Sequence, residues 1–108
     1  MIQTLEELYN ALSSVPTVSV AYNHFPEDEK VPLPVIVYDV TGSRNFPADN
    51  KVFHPILTIE AQLVTANKDP ATEAAVEAKL DECELVWDKT EAFLDTEKCY
   101  QIIYTFNL

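Results

Sequence analysis

Glycine is nearly absent: Gly42 is the only one in 108 residues. A glycine-rich phosphate-binding loop is therefore excluded, because such loops need several residues without a Cβ. Basic residues are also scarce, 7 against 18 acidic ones, for a formal charge of -11. That excess repels a nucleic-acid backbone and argues against binding DNA by phosphate neutralisation. It argues equally against an anionic membrane surface as the main partner. Cysteine is limited to Cys83 and Cys99, which show neither CxxC nor any other metal spacing. They make no disulfide framework, and the expectation is two buried or half-buried free thiols in a reducing cytoplasm. No apolar run approaches the length of a membrane span. The N-terminus has no basic region ahead of an apolar stretch, so neither a signal peptide nor an anchor is expected.

What remains has a globular composition, 47% apolar with five Tyr, five Phe and one Trp. The length suits one domain, 1–108, around one core. The stretch 52–69 organises the chain. Leu57, Ile59, Ala61 and Leu63 alternate with Thr58, Glu60 and Gln62, which is the period of a strand with two unlike faces.

Upstream, Thr4 and Glu7 have the spacing of a capping box. Leu5, Leu8, Tyr9, Leu12 and Val15 then recur at helical spacing up to Pro16. A short strand is expected over 18–22. A surface loop over 24–34 follows, with three prolines and the acidic run 27–29. A strand over 35–40, apolar on both faces, reads as interior to a sheet. Gly42 is expected to open a long loop, 42–51, too long for a tight hairpin turn and suited to an interaction arm.

Downstream, His54 and Pro55 suggest an edge or bulge early in the long strand. Asp69 and Pro70 fit the N-cap and first position of a second helix, with Glu73 favouring the positive end of its dipole. Thr72, Val76, Leu80 and Cys83 are its expected buried stripe. Leu85 and Trp87 are expected in a short strand, and 88–95 in a connection. The last strand alternates Tyr100, Ile102, Tyr104 and Phe106 with Gln101, Ile103 and Thr105. It is an expected antiparallel partner for 56–65. The reading is an α+β domain of two layers: a mainly antiparallel sheet covered on one face by two helices, in the order α-β-β-β-α-β-β.

No catalytic constellation stands out. The serines lack a nucleophile-elbow setting. His24 and His54 lack ligand spacing to Cys, Asp or Glu, and His54 reads as a strand-end surface residue. Glu6-Glu7 and Asp81-Glu82 are neighbours on helices and so point apart, which makes them poor acid/base pairs. No cofactor, metal site or catalytic residue is expected. A competing reading is a small ligand-binding or enzymatic domain with a pocket near Asp39, Trp87 and Tyr100. Another is an acidic protein that mimics DNA, although its acids are spread over helices and loops. The positive signal is of another kind: Thr58, Gln62, Ile103 and Thr105 make moderate solvent-side positions that suit burial against a subunit or a second helix layer.

The segment SRNFPADNKVF, then a long strand, then LVTANKDPATEAAVEAKL, resembles small proteins from the structural gene clusters of long-tailed bacteriophages and prophages of Gram-positive bacteria. The matching residues are Asn45, Phe46, Ala48, Asp49, Lys51 and Val52; Lys68, Asp69 and Pro70; Trp87; and Glu97, Lys98 and Tyr100. The likeness covers roughly the C-terminal three quarters of the chain and lies in the order of segments, not in any chemical signature. The resemblance implies a tail-completion protein, a tail terminator or head–tail joining subunit. Such a protein forms a homo-oligomeric ring, commonly a hexamer, on the tail tube. It stops tube growth and meets a head-completion or connector protein. DNA passes through the lumen without specific binding, no membrane is involved, and the ring ends in the virion after assembly in the host cytoplasm. The resemblance does not separate this role from head closure or another minor virion protein. The loop residues Arg44, Asn45, Phe46, Asp49 and Lys51 are the expected partner interface.

Overall fold

The structure is a computed structural model that describes residues 4–25, 31–48, 51–96 and 98–108; within 44–55 it describes backbone pairing and not side chains. The elements are α1 (Leu5–Ser13), β1 (Ser19–Tyr22), β2 (Val35–Ala48), β3 (Lys51–Thr65), α2 (Pro70–Glu82), β4 (Asp88–Leu94) and β5 (Cys99–Asn107). This is the expected α+β order. The strands form one sheet, β1-β2-β3-β5-β4, in which β1 runs parallel to β2 and every other pair is antiparallel.

Helix α1 starts where the capping box placed it. The Thr4 hydroxyl accepts from the Glu7 amide at 3.1 Å and donates to the Glu7 carboxylate. Leu8, Leu12 and Val15 are buried, while Tyr9 stays half-exposed. Helix α2 is capped by Asp69, whose carboxylate accepts from the Thr72 amide at 3.1 Å and the Thr72 hydroxyl at 2.6 Å. These bonds, the hydroxyl's first, hold the Asp69 carboxyl below its ordinary pKa. The helix ends in a Schellman motif: the Leu85 amide bonds the Leu80 carbonyl and the Glu84 amide bonds the Asp81 carbonyl. Glu84 occupies the left-handed position, at φ 62°, that glycine usually fills.

Both helices pack on one face of the sheet. Leu8, Leu12, Val76 and Leu80 share a buried cluster with Ile36, Tyr38, Ile59, Ala61, Leu63, Ile102, Tyr104 and Phe106. Strand β3 is central, and β5 pairs with it from Thr58↔Asn107 to Thr65↔Tyr100. Strand β2 is interior, as its two apolar faces suggested. Cys83 and Cys99 are buried free thiols, and burial is the main cause that pushes the Cys83 thiol up.

Three expectations about local structure are corrected. The segment 42–51 is not a loop. Gly42–Ala48 continues β2, Lys51 opens β3, and they pair as far as Ala48↔Lys51. Gly42 has no positive φ, and a Cβ there would meet nothing within 4 Å, so no turn demanded it. Register shifts fall at Val40/Gly42 and Phe46/Pro47. The second accommodates Pro47 where ladder pairing is already broken, and it bears out the expected bulge near His54 and Pro55.

Next, 85–87 is not a strand. The strand is β4, where a connection was expected. Its residues are exposed on both faces, so no alternation marks them; pairing with β5 from Asp88↔Thr105 to Leu94↔Cys99 makes it a strand. Finally, Thr72 is only half-buried, and the buried stripe of α2 is formed by Glu73, at 4% exposure, with Val76, Leu80 and Cys83. The acidic run 27–29, Asp49 and Glu97 lie outside the described residues.

Candidate functional site

The expected interface residues fall on a two-stranded ribbon. Leu57 exchanges both backbone bonds with Leu108, at 3.2 and 2.8 Å, the outermost backbone bonds from the hairpin to a third segment among the described residues. From Arg44↔Ile56 outward β2 and β3 pair only with each other among the described residues. Arg44 lies opposite Ile56, Asn45 opposite Pro55, Phe46 opposite His54, and Lys51 opposite Ala48. Asp49 is outside the described residues. At about 3.3 Å per residue, 43–48 carries the ribbon on the order of 20 Å beyond the sheet. The molecule measures 50 × 29 × 22 Å, and its radius of gyration is 14.9 Å. A compact chain of this length would have roughly 13 Å.

The second surface is the sheet face without helices. No second helix layer covers it among the described residues. Val35, Val37, Val64 and Ile103 give it an apolar floor, half-buried or better within the single chain. Register sets Asp39 directly opposite Glu60 and Gln62 opposite both Val37 and Ile103. The Gln101 amide donates to Gln62 at 2.7 Å, and the Gln62 amide donates to Glu60 at 3.1 Å. The result is a one-way chain of amides ending on a carboxylate.

The sheet's outer edges make a third feature. Among the described residues, the large exposed apolar side chains are Tyr9, Tyr22 and Leu33 on the β1 side, and Val86 and Phe93 on the β4 side. Tyr22 meets Tyr38 edge-on at 5.3 Å, and Phe93 lies 5.0 Å from Tyr100. The two edges differ, so the molecule is polar along its strand order.

One charged cluster was missed by sequence reading. Glu73 is bound by Lys68 at 2.8 Å and Lys89 at 3.3 Å. Lys89 also binds Glu77 at 2.7 Å, and Lys68 also binds Glu91. The Tyr104 hydroxyl donates to Glu77 at 2.8 Å. Burial works to raise the Glu73 pKa, but the bonds from Lys68 and Lys89 outweigh it, and the carboxyl sits below its ordinary value. Burial first, and then the bond to Glu77, pushes the Tyr104 phenol far up. The missed signal was spacing: Glu73, Val76 and Leu80 fall on one helical stripe. No buried polar side-chain atom among the described residues lacks a partner, and the cluster clamps α2 to β4 and β5.

The pocket residues of the competing reading do not converge. Asp39 is on the uncovered face. Trp87 packs edge-on against Tyr104 at 5.6 Å and donates its indole N–H to Asp81 at 2.9 Å. Tyr100 stands with Phe93. A shallow cleft of about 200 Å³ lies elsewhere, lined by Leu33, Pro34 and 65–69. Its charged groups are already engaged, Asp69 in the helix cap and Lys68 in ion pairs. No group of three His, Cys, Asp or Glu side chains is arranged to hold a metal among the described residues. No helix among them is long and apolar enough to cross a membrane. Comparison with protein-family models finds no match for the chain, and comparison with curated proteins finds none either.

Proposed function

We propose that the protein is a tail-completion subunit of a long-tailed phage or prophage. Copies assemble as a ring, a hexamer, on the end of the tail tube. The ring stops tube growth, presents a surface to a head-completion or connector protein, and lets DNA pass. The observation that carries the reading beyond the resemblance is the projecting β2–β3 ribbon beside an uncovered sheet face. Head-to-tail contacts in a closed ring need two unlike surfaces on each subunit. The ribbon and the face are unlike, as are the two sheet edges. The charge of -11 supports the reading as well, because an acidic lumen repels DNA and lets it slide.

The test is mass in solution by light scattering over a concentration range, with and without assembled tail tubes. A ring-sized species, free or tube-induced, is expected. Phe46→Ala is expected to weaken that assembly while leaving monomer unfolding nearly unchanged. A monomer that ignores tubes would overturn tail completion and favour head closure.

A further inference from the structure

We propose that the uncovered face of the sheet is the seat for the β2–β3 ribbon of a second copy of this chain. The proposal rests on the ring reading only in requiring self-association; it names which surfaces meet.

The ribbon needs a support. Its two strands pair with each other alone from Arg44↔Ile56 to Ala48↔Lys51, and an isolated two-stranded ribbon is marginal in water. It also differs in charge from the rest. The stretch 43–56 carries Arg44 and Lys51 against the single acid Asp49, in a chain with 7 basic and 18 acidic residues. Three other lysines, Lys68, Lys79 and Lys89, are held in ion pairs within the chain. The ribbon is thus the weakly positive end of a strongly negative molecule, and its electrostatic complement is the body of another copy.

The seat has the matching character. Asp39 and Glu60 stand directly opposite on adjacent strands, both half-buried. Like charges in that relation destabilise a sheet. Among the described residues neither makes an ion pair, and Glu60 takes only a neutral amide donor, from Gln62. Val37 and Ile103 stand one rung from the pair, on either side of Gln62, and Val35 opposite Val64 extends the apolar surface one rung further along the same face. Incoming cations relieve the repulsion, and the ribbon covers the valines. A chain cannot seat its own ribbon. The strands that carry Asp39 and Glu60 run on into the ribbon, so folding it back would break their register. The occupant is another copy, placed head to tail, and such a contact either closes as a ring or grows as a filament.

Charge exchange tests this. One variant reverses the seat (Asp39→Lys with Glu60→Lys), one reverses the ribbon (Arg44→Glu with Lys51→Glu), and a third carries all four changes. Self-association is followed by light scattering with and without tail tubes. Each two-site variant is expected to associate at least about tenfold more weakly than wild type, and the four-site variant to recover most of that loss. Two-site variants that associate like wild type would overturn the seat and leave the ring reading intact. A folded four-site variant that stays dissociated would do the same. Wild type that stays monomeric with and without tubes would overturn both. Asp39→Asn supplies a second readout that does not depend on the reversed variants folding. It is expected to raise the monomer's thermal midpoint while weakening association. A fall in both would show the pair to be structural and overturn the proposal.

Discussion

The two faces of this sheet are made by the same strands, one residue apart, and they solve different problems. On the helix side Ile59, Leu63 and Tyr104 are 0% exposed, and no buried polar side-chain atom among the described residues lacks a partner. On the other side Thr58, Glu60, Gln62, Val64 and Ile103 are all only half-buried. The covered face is closed by packing and supplies stability. The other face keeps polar acceptors and an apolar floor at the cost of one like-charge pair. A single strand thus separates a packed face from an open one through its period of two.

The sharpest test of that contrast is a pair of adjacent truncations in β3. Leu63→Ala on the covered face is expected to cost about 2–5 kcal/mol, or roughly 4–8 °C of thermal midpoint per kcal/mol for a domain of this size. Val64→Ala on the open face is expected to cost about 1 kcal/mol or less and to act on assembly instead. Equal losses in urea denaturation would break the comparison.

Next comes the clamp at the margin of the covered face. Glu73→Gln is expected to lose about 1–3 kcal/mol, because a buried charge-assisted bond is removed while Lys68 and Lys89 keep other partners. The Glu73 carboxyl is lowered in the fold, so its contribution is present above its unfolded pKa and lost as pH falls through the folded one. The wild type should lose stability below about pH 4.3, and the variant should lose less over the same range. On the alkaline side Lys89 and Tyr104 are both raised. Their contributions are full below about pH 10 and lost as pH rises through the folded values.

Smaller effects follow. Trp87→Phe removes the indole bond to Asp81 and is expected to cost about 1 kcal/mol in thermal or chemical unfolding. Glu84→Gly, which lies on neither face, is expected to gain about 0.5–1 kcal/mol by relieving the left-handed backbone at φ 62°. A loss there would mean that the Glu84 side chain contributes more than its backbone costs.

Legibility in the sequence followed burial. Strands β3 and β5 announced themselves because each has one fully apolar face, and α1 and α2 because their caps use side chains of distinctive chemistry. Strand β4 was invisible: its residues are exposed on both faces, and only the partner β5 makes it a strand. The ribbon was hidden for a related reason. Among the described residues its strands pair with no third strand, so a paired segment read as a loop with the composition of an arm. The expected interface residues were thus read as a stretch but not as a shape. The open face proposed as a seat was half visible. Thr58, Gln62, Ile103 and Thr105 looked too moderate for plain solvent, but the pairing of Asp39 with Glu60 needs the register, which no single strand contains.

The two register shifts in the long hairpin have a further consequence for insertions and deletions. Thr41 in β2 and Phe53 in β3 have no partner across the ladder. Each is one extra residue, and they sit on opposite strands. Between them the ladder runs one step out of phase with the sheet, and beyond the second it returns to phase. Removing either residue alone shifts every pair on one side of it by one, which turns side chains over from face to face. Removing both preserves the outer register. The ribbon's length is therefore free to vary only in matched steps, and the orientation of its outer end is set by two unpaired residues, Thr41 at its base and Phe53 near its tip.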